Sequence, residues 1–239
     1  MSAPLFRLEG IGFAYEAERP VLRDAGFELH AGERVALVGP NGSGKTTLFL
    51  VMVGLRRPSA GTVEAFGAMR RSERDFHDVR ARAGLLFQDS DDQLFCPTVL
   101  DDVSFGPLNL GKTSAEARAI AHDTLDRLGL GGFGDRVTHT LSGGQKRLVA
   151  LATVLAMQPE VLLLDEPTNA LDHTTEERLT GILQTLPQAM VIISHDDRFL
   201  ERLATRRVRM EGSALVDDRP PPARVSYRRR LNTSIERRR

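Results

Sequence analysis

Gly39-Pro40-Asn41-Gly42-Ser43-Gly44-Lys45-Thr46 sets glycines, a lysine and a hydroxyl at the spacing G-x-x-x-x-G-K-[ST], a pattern suited to wrapping backbone around an oxyanion. The glycines let successive amides turn inward at a helix N-terminus. Lys45 brings positive charge to terminal phosphates, and Thr46, followed by Thr47, offers a hydroxyl to magnesium. A second group, Val161-Leu162-Leu163-Leu164-Asp165-Glu166, ends an apolar run in two adjacent carboxylates. Asp165 is then expected to serve the magnesium ion, through water, and Glu166 to orient or deprotonate an attacking water. A chance lysine after a glycine-rich turn, or two carboxylates on a solvated turn, explains either group singly. The pair points to hydrolysis of a nucleoside triphosphate.

Such chemistry needs a strand leading into each loop and a helix leading away from the first. Arg34 to Val38 reads as a buried strand, and Leu48, Val51, Met52 and Leu55 recur at helical spacing after Gly44, with a stop before Arg57-Pro58. Leu5 to Tyr15, Val21 to His30, Gly61 to Phe66 and Gly84 to Phe87 read as further strands. Val161 to Leu164 and Met190 to Ile193 have the continuous apolar character of parallel strands covered on both faces. Helices are predicted over Ser114 to Leu128, with Ser114 as cap, over Ser142 to Met157 and over Asp172 to Leu186. The predicted class is α/β. After Gly212 the pattern fails, and Pro220-Pro221-Pro222 followed by arginines reads as an extension.

Leu141-Ser142-Gly143-Gly144-Gln145 opens a helix shortly before the acidic strand, and on it the chain resembles the ABC ATPases, whose signature this is. Physically it is a second glycine-opened helix start, suited to a γ-phosphate, and one chain cannot fold both starts onto one nucleotide. The resemblance implies a head-to-tail dimer in which each signature closes on ATP held by the partner. It further implies Tyr15 as an aromatic stacked on adenine, Gln88 as a magnesium-sensing glutamine, Asp172 at the end of the loop after the acidic strand, and His195 at the γ-phosphate. Catalysis would rest on Glu166, His195, Lys45 and Gln88, with Thr46, Gln88 and Asp165 around the metal. The implied fold is a P-loop ABC ATPase: a mainly parallel core sheet flanked by helices, an antiparallel β subdomain and an inserted helical subdomain. Boundaries follow as an ATPase domain over 1–212, with core 1–88 and 158–212 and helical subdomain about 89–157, and an Arg-rich extension over 213–239.

Between Gln88 and the signature lie Asp91-Asp92-Gln93-Leu94-Phe95, Thr98-Val99, Asp101-Asp102-Val103 and Phe105-Gly106-Pro107-Leu108-Asn109-Leu110-Gly111. This stretch is similar to the ATPases of energy-coupling factor importers; the overall resemblance, including Ser142-Gly143-Gly144-Gln145-Lys146-Arg147-Leu148 and the following Val149-Ala150-Leu151-Ala152, is nearest to their cobalt and nickel branch, with a vitamin such as biotin as the other cargo class. The likeness implies a second ATPase subunit, a transmembrane coupling subunit and a substrate-binding membrane subunit as partners. Leu94, Phe95 and Val99 would be apolar anchors on the transmembrane subunit, the alternative being that they fill the helical core. The chain departs from the family in Asn169, within Thr168-Asn169-Ala170-Leu171-Asp172, and in Lys146-Arg147-Leu148, one residue off the usual basic pattern.

Composition narrows the rest. A chain of 239 residues with 41% hydrophobic and 27% charged residues suits one domain with insertions or two intimately packed subdomains. No apolar run reaches bilayer length, Met1 to Gly12 lacks a signal-peptide pattern, and a single cysteine, Cys96, excludes an internal disulfide. The expected place is the cytoplasmic face of the cell membrane, held there by partners. Six histidines, His30, His77, His122, His139, His173 and His195, show no metal-ligand spacing, so direct contact with a metal cargo is not expected. Net charge is zero, yet Arg219 to Arg239 holds eight arginines against Glu236 alone. That segment is read as a solvated extension, a contact for acidic lipid headgroups or RNA, or part of a subunit interface; nucleic acid is otherwise not an expected partner. Soluble ABC proteins of DNA repair or ribosome function share the ATP chemistry, but this sequence has neither heptad repeats nor a second phosphate loop.

Overall fold

The structure is a computed structural model that describes residues 3–16 and 18–217; the Arg-rich segment Arg219 to Arg239, with the readings given for it, lies outside the described residues. In chain order the elements are β1 (Phe6–Glu16), β2 (Arg19–Leu29), β3 (Arg34–Val38), α1 (Lys45–Met52), β4 (Ala60–Ala65), β5 (Ala68–Arg70), α2 (Glu73–Arg82), β6 (Ala83–Leu86), α3 (Val99–Asn109) and α4 (Ser114–Arg127). There follow α5 (Gly143–Leu155), β7 (Val161–Asp165), α6 (His173–Thr185), β8 (Ala189–Ile193), α7 (Asp197–Leu203), β9 (Arg206–Glu211) and β10 (Ala214–Asp217).

Two sheets divide the strands. An antiparallel sheet has the order β2-β1-β4-β5, and a larger one the order β10-β9-β3-β8-β7-β6. In the larger sheet β9, β3, β8, β7 and β6 run parallel and only β10 is antiparallel, to β9. Period-2 alternation of the central strands sorts their side chains into two cores. Val35, Leu37, Leu163 and Val191 face the antiparallel sheet, packing with Phe6, Ile11 and Phe49. Ala36, Val38, Leu162, Leu164, Met190 and Ile192 face the helices, packing with Leu148, Leu151, Leu179 and Phe199. The fold is the P-loop ABC ATPase type expected, and both phosphate-chemistry loops leave the carboxyl ends of parallel strands, where crevices open in such sheets.

Local sequence explains where the elements begin. Thr113, not Ser114, caps α4: its side chain accepts from the Glu116 amide and Glu116 bonds back to the Thr113 amide. The threonine-to-glutamate spacing of a capping box was the decisive signal. Leu55 lies beyond the end of α1 and is exposed. Helix α2 buries only Phe76 and Val79 among charged residues, too few apolar positions for a periodic signal. Helix α3 carries Pro107 within its last turn, which hides its apolar face in the sequence. Strand β10, past the point where the pattern fails at Gly212, is made by pairing with β9.

Candidate functional site

The phosphate loop leaves β3 through Gly39, whose φ of 149° and added Cβ at 2.8 Å from the Met210 carbonyl oxygen exclude any side chain. Gly44 then caps α1 in the left-handed region at φ 104°, and a Cβ there would stand 2.9 Å from Val21. No side chain bonds to that helix start, so its first amides face the loop interior, the arrangement that attracts phosphate. The Lys45 ammonium folds over the loop and donates to the carbonyls of Gly39 at 2.8 Å and Pro40 at 2.9 Å. Burial lowers its pKa, against the raising influence of Glu166 and Asp165.

Across the loop, the Thr46 hydroxyl donates to Asp165 Oδ2 at 2.6 Å. Burial raises the Asp165 pKa, while that hydrogen bond, Lys45 and Arg147 pull it down. Glu166 has φ 45°, unusual for a non-glycine residue, and its amide donates to the Ile193 carbonyl at 2.9 Å. One carboxylate oxygen accepts from the His195 amide at 3.3 Å; the other, Oε1, lies 3.3 Å from His195 Nε2 but has no hydrogen-bond partner. Ser43 Oγ is likewise buried without a partner. Two orphaned buried oxygens within one polar site mark a place built for a group from outside the chain.

Tyr15, Asn41, Gly42, Ser43, Gly44, Lys45, Thr46, Thr47, Gln88, Asp165, Glu166 and His195 line a single cleft of about 700 Å³. Tyr15 stands exposed at its edge, with its ring 4.9 Å from Phe13 and its hydroxyl 3.3 Å from Thr47 Oγ1. The cleft therefore gathers the expected phosphate loop from Asn41 on, both carboxylates, Gln88 and His195, and an aromatic face at the rim, while Gly39 and Pro40 stand outside its lining. Backbone amides and an ammonium suit a polyphosphate, while the Thr46 hydroxyl and Asp165 carboxylate are hard oxygen donors that suit magnesium.

Ser142, Gly144, Gln145 and Asp172 do not line this cleft; Gly143 lines a neighbouring hollow of about 630 Å³ that shares Thr46, Gln88, Asp165 and Asn169 with it. Ser142 caps α5 in a box with Gln145, at 3.3 Å and 3.1 Å. Asp172 caps α6 by accepting from Thr175, and those hydrogen bonds hold its pKa low.

The apolar anchors need correction. Leu94 is 9% exposed and Val99 fully buried, both in the core beneath the helices, whereas Phe95 is 66% exposed. Sequence reasoning also did not place Arg147 or Asn169 in the site. Their signal was the two departures from the family pattern: Asn169 lines both hollows, and Arg147 lines the one beside α5.

The ABC transporter family model matches residues 22–169. An uncharacterized ABC transporter ATP-binding protein of Haemophilus influenzae is 48% identical over 187 residues, covering 78% of this chain and 86% of that protein. The cobalt import ATP-binding protein CbiO of Rhodobacter capsulatus is 44% identical, covering 94% and 85%. Among solved structures, cbiO1 from Clostridium perfringens, part of the ABC transporter complex cbiONQ, superposes with a TM-score of 0.80 at 32% identity, covering 90% of this chain and 88% of that one. With the fold, the phosphate loop and these matches in agreement, the chain belongs to the ABC transporter ATP-binding family, whose members are ATPases.

Proposed function

We propose that this chain is the ATP-hydrolysing subunit of an energy-coupling factor importer that drives uptake of cobalt or nickel ions through membrane partners. One observation carries the catalytic half: in a single cleft the Lys45 ammonium, the Thr46–Asp165 hydrogen bond and the orphaned Glu166 oxygen converge. The transport half rests on the sequence of residues 91–111 and on the likeness to a cobalt import ATPase.

In this reading the amides of residues 41–46 and the Lys45 ammonium hold the β- and γ-phosphates, and Tyr15 stacks on adenine. A magnesium ion, when bound, neutralises phosphate charge; Thr46 and Asp165 would hold it, with Gln88 beside them. The Glu166 carboxylate, whose Oε1 accepts no hydrogen bond within the chain, would accept a proton from water, and its strained backbone fixes where it points. His195, contacting Glu166 through both its amide and its ring, would hold that carboxylate and reach the γ-phosphate.

A second copy would complete each site with Ser142, Gly143, Gly144 and Gln145. Gly143 supports this, because a Cβ added there would meet nothing of its own chain within 4 Å; its smallness serves no contact in the monomer. Among the described residues no helix is long and apolar enough to cross a membrane. The surface read as facing the membrane partner is an apolar hollow of about 240 Å³ lined by Val53, Leu55, Leu85, Phe95, Phe105 and Met157. Phe95 and Phe105 meet edge to face there at 4.9 Å. Beneath them the buried Asp102 accepts from the amides of Phe95 and Cys96 and from the Thr138 hydroxyl, at 3.1, 2.9 and 3.0 Å. The hollow is thereby tied to the segment leading into Ser142.

The test is expression with the membrane subunits that co-purify with the chain, followed by ATP-dependent uptake of radioactive cobalt or nickel into vesicles. Uptake lost in Glu166→Gln supports the reading. Uptake of biotin and not of metal moves the assignment to the vitamin class, and absence of membrane partners overturns the importer.

A further inference from the structure

We infer that Arg147, on the first turns of α5, is a positioning residue that fixes the Gln88 and Glu166 loops of the same chain to the signature helix. Its side chain is 3% exposed. The guanidinium donates to the Phe87 carbonyl at 2.5 Å, to the Gln88 carbonyl, and to the Glu166 carbonyl at 3.1 Å. Burial lowers its pKa, with Asp89, Asp165 and Glu166 acting the other way.

Arg147 forms no ion pair among the described residues. A buried cation without a paired anion is costly, and an apolar side chain fills helix-to-sheet space better. What the guanidinium supplies instead is a planar fork, able to hold carbonyls from two loops in one fixed relation. The Gln88 loop has a further brace to α5, the Gln93 side chain, which accepts from the Phe87 amide at 3.3 Å and donates to the Ala150 carbonyl at 3.0 Å and the Thr153 hydroxyl at 2.8 Å, but Arg147 alone of these bonds both loops. Gln88 lies two residues past the end of β6, and Glu166 holds φ 45°, a conformation that persists only when its surroundings impose it. The Glu166 amide is tied to Ile193, and its carbonyl is shared by Arg147 and the Asn169 amide at 3.1 Å. The adjoining Lys146 pairs with Asp91 at 2.5 Å, so α5 grips the Gln88 loop at yet another point.

The inference rests on the catalytic reading of Gln88 and Glu166, and its consequence is mechanical. A shift of α5 on dimer closure is passed to the backbone that carries the carboxylate, because one planar guanidinium bonds carbonyls of both loops.

The experiment uses the full chain with Arg147→Met and Arg147→Lys, following thermal unfolding, binding of a fluorescent ATP analogue, steady-state hydrolysis and amide hydrogen exchange. Arg147→Met is expected to fold and to bind ATP within about threefold of wild type, because it removes no group that meets nucleotide. Its kcat should fall about 10- to 100-fold, the cost of misplacing a catalytic group by about an ångström. Amides of residues 87–91 and 166–169 should exchange about tenfold faster while those of β7 stay unchanged. Arg147→Lys, which keeps the charge but not the fork, should recover only part of kcat. Unchanged exchange in both loops overturns the inference, as does a kcat within twofold of wild type in either variant. If Arg147→Met does not fold, Arg147→Lys decides by the same two readouts. Glu166→Gln runs alongside: near wild-type hydrolysis there overturns the catalytic assignment, while faster loop exchange in the Arg147 variants would still support the bracing role.

Discussion

Helices α1 and α5 both begin at glycine-rich turns, yet their starts are finished differently. The first has Gly44 as cap in the left-handed region and no side chain bonded to its amides. The second is closed by its own residues, Ser142 and Gln145, in a capping box. An uncapped start leaves strong donors in need of an acceptor, which is what a phosphate supplies. A self-capped start has part of its donors met in the monomer, here the Ser142 and Gln145 amides. Ser142 Oγ, used there as an acceptor, still has its hydroxyl hydrogen to donate, and the residue is exposed. In the proposed reading one helix start takes a ligand held in the same chain, and the other waits for a ligand held by a second copy.

The sharpest way to break this contrast is to disable each end in turn. Glu166→Gln, which leaves both helix starts intact, should slow hydrolysis by about 100-fold or more while ATP still binds and traps a dimer. Steady-state ATPase assays and size-exclusion chromatography with ATP read both effects. Lys45→Ala should weaken ATP binding by the isolated chain roughly 10- to 100-fold, the worth of a charge-assisted contact. Ser142→Arg should leave that binding unaltered and abolish ATP-driven dimerisation. If Ser142→Arg weakens the monomer's own nucleotide as much as Lys45→Ala does, both helix starts serve one ligand and the contrast is wrong.

A smaller effect separates core from surface on the helical side. Leu94→Ala should cost about 2–5 kcal/mol of folding stability, as buried leucine truncations do. Phe95→Ala, two-thirds exposed, should leave the melting temperature nearly unchanged and weaken association with the membrane partner instead. A large stability loss from Phe95→Ala would remove the apolar hollow from consideration as a docking surface.

Asp165 gives a pH-dependent test of how much strain the cleft stores. Because burial raises its folded pKa, the folded state binds that proton more tightly than the unfolded chain, so Asp165 favours folding below the unfolded value. That contribution is lost as pH rises through the raised folded pKa. Asp165→Asn should therefore melt higher than wild type at neutral pH without nucleotide, with the gap closing as the pH is lowered, while its hydrolysis is lost. A gap that widens in acid refutes this. The smallest expected effect is at the self-capped helix: Ser142→Ala should lower stability by about 1 kcal/mol through loss of the cap, seen as a modest fall in melting temperature.

Much of the site was legible because its chemistry is local in sequence. A phosphate loop needs glycines, a lysine and a hydroxyl within one turn between a strand and a helix, so Gly39 to Thr46 announced itself without a fold. The all-buried runs of β7 and β8 were legible for a similar reason, since strands covered on both faces carry no polar alternation. Capping residues were readable to within a position, Thr113 for Ser114, because the box joins two residues three apart in sequence. Tertiary structure alone decided which apolar residues after Gln88 are core. Leu94 and Phe95 are neighbours of similar hydrophobicity, and only the packing of α3 and α5 turns one inward and leaves the other out. It alone decided the role of Arg147 as well, because the carbonyls it holds lie 60, 59 and 19 residues away along the chain. Residue type and spacing specify a group that binds through its own neighbours in sequence; a group that acts by joining distant loops becomes visible only when the fold has brought those loops together.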